Sequence, residues 1–307
     1  MNSQTKGRVR VGPAGWSYED WKGIVYPPHM PKSLHPLALL SEWFDTVEVN
    51  STFYRPPEAK YCASWLKKTA HNPRFRFTVK LWERFTHKRV AGSQVELGNQ
   101  QTKFPQEEVR LFSEGIAPLF QAGKLGAILV QFPWSFKRTP ENRAWLARLI
   151  DTFAGYPLAV EIRHASWDRP EVHQAFAERG VAFCNIDQPI FSNSITPTEH
   201  VTARVGYIRL HGRNHDDWFR EDATRDDRYN YLYSEGELKP WIEKIERIRN
   251  QADEVYCITN NHYRGQAVVN AFEIQEAFGK TDVVLPQHLI DEYPRLKRLF
   301  QNPDRSA

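Results

Sequence analysis

The chain has 307 residues, of which 41 % are hydrophobic and 25 % charged, a composition typical of a globular protein and too apolar for a disordered one. The net charge of +4 is a small excess for this length, which argues against a protein that works mainly by binding nucleic acid. No stretch approaches the ~20 apolar residues of a membrane-spanning helix, the N-terminus has no apolar signal core, and the three cysteines lie far apart without a CxxC motif, so we expect a cytoplasmic protein with reduced thiols and no membrane partner.

Eight short, mostly continuous apolar runs predict β-strands that are covered on both faces, as in parallel sheets. In chain order they are Val9–Pro13, Thr46–Val49, Arg76–Lys80, Ala127–Gln131, Leu158–Arg163, Val181–Asp187, Tyr207–His211 and Glu254–Thr259. Helical periodicity lies between most of them. It covers an apolar stripe of Leu37, Leu40, Trp43 and Phe44, then Ala59–Lys68, Gln106–Gln121, Glu141–Phe153, Pro170–Arg179, Leu238–Ala252 and Gly265–Phe278, with a short helix or wrapping segment over Pro286–Phe300.

This alternation predicts an α/β fold of the TIM type, a (β/α)₈ barrel, as one domain over residues 1–307. The repeat is irregular, since the chain between Asp187 and Tyr207 shows no helical pattern. Long loops follow strand 3, from Lys80 through Gln106, and strand 7, from His211 to Glu235, and loops of this length often act as lids or binding loops. An open doubly wound sheet is the alternative architecture.

Polar residues end one predicted strand after another. They are Glu48, Asn50, Lys80, Glu161, Arg163, Asp187, Arg209, His211, Asn260 and Asn261. TIM-barrel enzymes keep their chemistry at the C-terminal ends of the strands, so this set predicts an active site. The alternative interpretation is a set of buried ion pairs that plug the barrel, such as Glu161 with Arg209 or Glu48 with Lys80. Because buried pairs stabilise weakly against apolar replacements, that alternative explains the size of the set poorly.

Acid–base chemistry is the reaction type that these residues favour. The predicted catalytic residues are Glu48, Lys80, Glu161, Asp187 and His211. Glu161 or Glu48 would serve as base, His211 as acid, and Lys80 as a base or Schiff-base amine if it is desolvated. The predicted substrate-binding residues are Trp16, Asn50, Tyr54, Arg163, Arg209, Gly212, Asn260 and Asn261. In this set Arg163 and Arg209 would clamp a carboxylate or phosphate, which indicates a small anionic ligand.

A divalent metal is the less favoured alternative for the same residues. Carboxylates and imidazole are proper ligands for Mn²⁺, Mg²⁺ or Zn²⁺, and the available set is Glu48, Glu161, Asp187 and His211. Three cationic side chains, Arg163, Arg209 and Lys80, share the same end of the barrel and would repel a cation. No HxH, HExxH or CxxC spacing is present. We therefore assign no metal ligands and leave the cofactor open.

Several longer motifs carry a resemblance to a known family. They are Gly15-Trp16-Ser17-Tyr18 with Trp21, the run from Val47 to Arg55, Phe77–Lys80, Val160–Arg163, Tyr207–Gly212, and Asn260-Asn261 before Gly265-Gln266-Ala267. In this order they resemble the DUF72 family, also called YecE-like, over about Val9 to Phe278. The resemblance implies a TIM-type barrel and no particular activity. The residue before the Asn pair departs from the family's more usual aromatic.

Two further function classes stay open beside an enzyme that acts on a small anionic metabolite. One is a nucleic-acid-binding or endonuclease-like barrel, which would need a basic face outside the pocket and which the modest charge disfavours. The other is a non-catalytic ligand-binding protein with the same pocket. The sequence leaves the oligomeric state open.

Overall fold

The computed structural model describes residues 6–31, 34–87, 104–218, 220–280 and 283–299. Its eight strands are β1 (Arg8–Pro13), β2 (Thr46–Val49), β3 (Arg76–Lys80), β4 (Leu125–Gln131), β5 (Leu158–Glu161), β6 (Ala182–Asp187), β7 (Val205–Leu210) and β8 (Glu254–Thr259). The bounds of β2, β3 and β8 are those predicted. The other strands differ from the prediction by one or two residues, at one end for β1, β4, β5 and β6 and at both ends for β7.

The strands form one parallel sheet that curls into a nearly closed barrel. Their order is β1-β8-β7-β6-β5-β4-β3-β2, so each strand lies beside its sequence neighbour. The seam between β1 and β2 is bridged where Gly15 donates its backbone N–H to the carbonyl of Glu48 at 2.8 Å. Gly12 allows the two strands to come this close, because a Cβ there would lie 1.9 Å from the carbonyl oxygen of Thr46. The predicted TIM-type fold is confirmed, and the open doubly wound alternative is wrong.

Helices cover the outside of the barrel. They are α1 (Pro36–Trp43), α2 (Ser51–Tyr54), α3 (Ala59–Lys68), α4 (Gln106–Gln121), α5 (Pro140–Thr152), α6 (Pro170–Glu178), α7 (His215–Trp218), α8 (Arg225–Arg228), α9 (Glu235–Arg249), α10 (Gln266–Ala277) and α11 (Gln287–Glu292). The predicted bounds of α3 and α4 are confirmed. Helix α9 begins three residues before the predicted Leu238, because Ser234 and Glu237 form a capping box that satisfies its first N–H groups.

The two long loops differ in how much of them is described. The loop after β7 contains the short helices α7 and α8, which the sequence did not predict. Residues 88–103 of the loop after β3 lie outside the described residues, as do residues 300–307 beyond the tail helix. In the part of the chain that the structure describes, no helix is both long and apolar enough to cross a membrane.

The connection between β6 and β7 has no helix, as predicted. An extended segment lies against β6 instead and is fixed by side chains. Asn185 accepts hydrogen bonds from the Thr198 hydroxyl and the His200 backbone N–H, both at 2.7 Å. Thr202 donates to the Val181 carbonyl at 2.6 Å. These bonds satisfy backbone groups that a helix would otherwise satisfy internally.

Alternation along each strand decides which side chains enter the barrel. The inner face carries a small apolar cluster made of Ala14, Ala127, Leu129, Ala159, Ala182, Cys184, Ile186, Tyr207, Tyr256 and Ile258. A larger apolar core lies between the strands and the helices, and it includes Val47, Val79 and Val160. Since neighbours in a strand face opposite ways, Glu48, Lys80 and Glu161 point into the barrel at the C-terminal end of the strands, which we call the mouth.

Candidate functional site

Arg209 is the centre of the polar interior at the mouth. Its side chain is 1 % exposed, and its two terminal nitrogens donate to Glu48 at 2.6 Å and to Glu161 at 2.5 Å. One of these nitrogens also donates to the side-chain oxygen of Gln131 at 2.9 Å. Tyr207 donates its hydroxyl to the second oxygen of Glu48 at 2.9 Å. Arg209 thus joins strands β2, β4, β5 and β7 across the barrel.

Glu161 links this centre to two further side chains. Its other oxygen accepts from Arg163 Nε at 2.8 Å and lies 3.3 Å from His211 Nε2. Burial alone would raise the pKa of Glu161, but Arg209 and Arg163 outweigh it and hold that pKa well below its usual range. The carboxylate is therefore ionised and a weak base. We call Glu48, Glu161, Arg163, Arg209 and His211 the mouth network.

His211 is neutral in the mouth network. Burial lowers the pKa of its imidazole to about 3, although Glu161 opposes the shift. Its Nδ1 lies 3.0 Å from the Asn260 side-chain nitrogen, which donates to it. That bond leaves the proton on Nε2, where it faces Glu161. His211 is therefore held in one tautomer by two strand ends.

A cavity of about 350 Å³ opens beside the mouth network. Its lining residues are Gly15, Trp16, Ser17, Tyr18, Asn50, Ser51, Tyr54, Lys80, Tyr229, Asn260 and His262. We call it the mouth cavity. Asn260 connects the cavity to the mouth network, since it lines the cavity and donates to His211. The volume suits a small metabolite.

Among the described residues that line the mouth cavity, Lys80 is the one cationic side chain. Its ammonium lies 4.2 Å from the centre of the Phe53 ring and makes no ion pair with any described residue. Burial and the nearby Arg209 lower its pKa to about 8, although Glu48 and Glu161 oppose the shift. Asn50, on the same wall, has a buried side-chain oxygen without a hydrogen-bond partner among the described residues. Both groups are placed to meet a ligand.

Aromatic rings form the rest of the wall. Tyr18 stacks on His262 with the ring centres 4.5 Å apart and the planes at 12°. Trp16 packs edge-on against Trp65 at 5.5 Å, and its backbone carbonyl accepts from Tyr26. Tyr54 stands at the rim, 65 % exposed. The predicted contact residues Trp16 and Tyr54 therefore both face the cavity.

Gly212 turns the chain at the end of β7 and has a φ of 91°. Its backbone N–H is used within the protein, because it donates to the Tyr233 hydroxyl at 2.8 Å. A Cβ at this position would lie 2.7 Å from the Cβ of Tyr231. The geometry therefore gives Gly212 a role in shaping the loop, whereas the sequence interpretation gave it a contact with the ligand.

Asp187 and Asn261 lie on the other side of the barrel wall from the mouth network. Asp187 follows the inward-facing Ile186 and so points outward, where it accepts from Arg213 at 2.8 Å. Asn261 follows the inward-facing Asn260 and donates to Asn270 of α10 at 2.8 Å. The sequence interpretation placed both with the other strand-end residues, and the alternation of side chains separates them.

Several residues of the site were not among the predicted ones. Gln131 ends β4 with a polar group that faces inward, so the rule that found Glu161 could have found it. Tyr207 lies on the same strand face as Arg209 and could have been found by alternation. Ser17, Tyr229 and His262 come from loops, whose positions a strand pattern does not give.

The carboxylates of the mouth network are a poor set of metal ligands. Glu48 accepts from Arg209 and Tyr207, and Glu161 accepts from Arg209 and Arg163. Each of their oxygens thus already accepts from a donor, and the donors include two arginines. The neutral His211 likewise uses both ring nitrogens, one towards Asn260 and the other towards Glu161. The donor set fits an anion better than a cation.

Comparison with known proteins adds the family. The model of the family described as protein of unknown function DUF72 matches residues 10–292. A DUF72 family protein from Thermotoga maritima MSB8 has a solved structure that is 36 % identical, with a TM-score of 0.75, covering 89 % of this chain and 99 % of that one. Another from Enterococcus faecalis V583 is 28 % identical with a TM-score of 0.75, covering 91 % and 98 %.

Among curated proteins, the UPF0759 protein YunF of Bacillus subtilis (strain 168) is 27 % identical over 281 residues, which is 87 % of this chain and 94 % of that protein. The residues that the family model matches include β2 to β8, most of β1 and the cavity-lining loops. With the matched family model and the barrel topology, these relatives establish that this chain belongs to the DUF72 family.

Proposed function

We propose that the protein is an enzyme that uses acid–base chemistry on a small anionic substrate, carrying a carboxylate or phosphate, in the mouth cavity. The observation that carries the proposal is Lys80. Its amine faces the cavity, has no ion-pair partner among the described residues, and has a pKa of about 8. An amine with such a pKa exchanges protons readily near neutral pH.

The charges at the mouth support an anionic substrate. Two carboxylates, Glu48 and Glu161, face three cationic side chains, Arg163, Arg209 and Lys80. The two arginines are paired with the carboxylates, and the Lys80 ammonium has no counter-ion in the part of the chain that the structure describes. A carboxylate or phosphate beside Lys80 would supply this counter-charge.

The roles of the predicted catalytic residues follow from their protonation. We assign proton transfer to Lys80, because Glu161 has a strongly lowered pKa and His211 a pKa of about 3. Glu48 and Glu161 position Arg209 and supply the field that keeps Lys80 protonated part of the time. Asn50 and Asn260 offer polar atoms that orient the substrate. Asp187 has no part in this proposal.

Proton transfer can be tested without knowing the product. Small carboxylic acids, sugar phosphates and inorganic phosphate are incubated with the protein in D₂O, and deuterium incorporation at carbon is followed by NMR. We expect wash-in for at least one compound class with a pH midpoint near 8. We expect Lys80→Met to abolish it and Lys239→Met, on the exposed face of α9, to leave it unchanged.

Ligand-induced stabilisation separates catalysis from binding alone. An anion that raises the melting temperature of the wild type and of Lys239→Met, and not of Lys80→Met, would support the mouth as the binding site. Stabilisation without any deuterium exchange would favour the non-catalytic binding protein. Equal stabilisation of Lys80→Met would remove the proposal.

A further inference from the structure

Three metal-ligating side chains meet outside the barrel, against the outer face of β6. They are Asp168, which precedes α6, His173 on α6, and His200 in the extended β6–β7 connection. One carboxylate oxygen of Asp168 lies 3.0 Å from His173 Nε2 and 2.9 Å from His200 Nε2. The three candidate ligand atoms all lie within 4.8 Å of one another. The mouth cavity and the mouth network contain none of these residues.

The fold fixes the two histidines independently of each other. The backbone of His200 is held on both sides by Asn185, which accepts from its N–H at 2.7 Å and donates to its carbonyl at 3.0 Å. His173 lies near the start of α6. Both imidazoles pack edge-on against Phe183, with ring centres 5.2 and 5.1 Å from the phenyl centre. The cluster thus exists because an extended segment, and not a helix, covers β6.

Hydrogen bonding among the three residues is incomplete. His200 Nε2 lies within hydrogen-bond distance and geometry of Asp168. His173 Nε2 is buried and lies just as close to the same carboxylate oxygen, but outside the angular range of a well-formed hydrogen bond. The two imidazole rings are only 3.7 Å apart. Imidazole nitrogens are the commonest metal ligands in proteins, so two rings this close beside one carboxylate can share one ion.

The spacing is close to that of a bound ion. Zinc–nitrogen and zinc–oxygen bonds of about 2.0–2.1 Å at tetrahedral angles place neighbouring ligand atoms about 3.3 Å apart. The two measured distances of 2.9 and 3.0 Å need only a small outward movement. The side chains of Asp168, His173 and His200 are 30, 20 and 32 % exposed, so solvent can reach a fourth position.

We propose that Asp168, His173 and His200 bind one divalent transition-metal ion of the zinc type, with water completing the coordination. Two imidazoles and one carboxylate are a ligand set that Zn²⁺ and its neighbours in the first transition row accept. The ion would connect helix α6 to the β6–β7 connection. Its site is separate from the mouth, so it stands whether or not the proposed reaction does.

The test is metal titration of the full-length, chelator-treated protein. We expect one Zn²⁺ or Co²⁺ per chain by elemental analysis, a visible Co²⁺ absorption band and a rise in melting temperature. We expect His173→Gln and His200→Gln each to weaken Co²⁺ binding at least 10-fold, consistent with the loss of one of three ligands. His29→Gln, at an exposed histidine outside the cluster, should bind as the wild type does.

Melting curves of the metal-free variants show whether they fold. If either histidine variant does not fold, Asp168→Asn, of equal size and at a partly exposed position, takes its place with the same expected loss. Absence of bound Co²⁺ in the wild type at millimolar concentration would overturn the proposal. So would unchanged binding in the folded cluster variants, since the ion would then lie elsewhere.

Discussion

The two ends of the barrel interior both bury an arginine, but they do so differently. At the N-terminal end Arg10 has a fully buried side chain and pairs with Glu254 at 2.5 Å, and Glu254 is itself 31 % exposed. At the mouth Arg209 pairs with Glu48 and Glu161, both fully buried. At the N-terminal end water can reach the carboxylate that pairs with the arginine. At the mouth the arginine and both of its partner carboxylates are shielded from water.

The comparison teaches that a buried charge does not by itself mark a functional site. Arg10 is satisfied by one carboxylate and by the carbonyl of Arg74. The mouth has more than closure of the barrel requires. It holds a cavity, and within the described residues the Lys80 ammonium makes no ion pair and the Asn50 side-chain oxygen makes no hydrogen bond. Buried polar atoms such as Thr46 Oγ1 also lack partners elsewhere in the described chain, so the cavity that Lys80 and Asn50 line is what distinguishes the mouth.

The largest effect is expected from removing each arginine in turn. Arg209→Met removes the cation shared by two fully buried carboxylates. Glu48 keeps its bond from Tyr207 and Glu161 its bond from Arg163, but the lost charge should still lower the free energy of unfolding by about 3–5 kcal/mol. Arg10→Met leaves Glu254, which water can reach, and should cost about 1–3 kcal/mol. Urea denaturation at neutral pH measures both. Equal costs would break the comparison between the ends.

Acid should destabilise the mouth through His211. Its pKa is about 3 in the folded protein and about 6.5 when unfolded, so between these values the unfolded chain takes up a proton that the folded state does not. Stability must then fall as pH falls, by up to about 1.4 kcal/mol per pH unit. Between pH 6.5 and 5, we expect His211→Gln to show a slope shallower by about 1 kcal/mol per unit.

Two features of that measurement keep it specific. Above pH 5 Glu161 stays ionised in the folded state. The stability that its lowered pKa provides is lost only at lower pH, where the carboxylate takes up a proton. His29→Gln, at an exposed position, serves as control and should follow the wild-type slope. Parallel slopes for wild type and His211→Gln would show that His211 titrates normally.

Replacing one glycine at each end of the barrel extends the comparison of the two ends to their loops. Gly180→Ala, before β6 at the N-terminal end, places a Cβ at φ 63° in open space and should cost about 1 kcal/mol. Gly212→Ala, at φ 91°, places its Cβ 2.7 Å from the Cβ of Tyr231 and should cost about 1 kcal/mol more. Thermal melting of the two variants gives the difference. A smaller cost at Gly212 would show that the loop yields easily.

The smallest expected effect on stability comes from Lys80. Its pKa, lowered from 10.5 to about 8, means that the ammonium opposes folding below pH 8 by about 3 kcal/mol. Loss of the contact with the Phe53 ring offsets about 2 kcal/mol of this, so Lys80→Met should raise the free energy of unfolding by about 1 kcal/mol at pH 7. The gain should shrink as pH rises from about 8 towards 10.5, because the wild-type amine then loses its proton in the folded state first. A variant less stable than the wild type would mean that Lys80 has a structural partner.

Much of the fold was predictable because it follows from periodicity. Continuous apolar runs alternating with helical patterns gave all eight strands, since parallel strands covered on both faces leave that signature. The position of the polar set at the mouth followed from the strand ends. The alternative interpretation of the polar set was that it forms buried ion pairs. The pair of Glu161 with Arg209 is present, whereas Glu48 pairs with Arg209 and not with Lys80.

The face of each polar residue was not predictable from the same signal. When both sides of a strand are buried, the sequence does not say which side is the interior, so Asp187 and Asn261 were grouped with Glu161 and Asn260. Protonation depends on distances of a few ångströms, which strand order does not supply. The sequence therefore named His211 as an acid, and only its packing shows a neutral ring.

The seam between β1 and β2 has a mechanical consequence. Within the described residues its strands share one backbone hydrogen bond, from Gly15 to Glu48, while β1 meets β8 along six paired positions. The chain leaving both seam strands supplies much of the cavity wall, including Trp16, Asn50 and Tyr54. Transient opening of the barrel at this weakly hydrogen-bonded seam would widen the entrance to the mouth cavity. Early exchange of the Gly15 amide proton with solvent would report such opening.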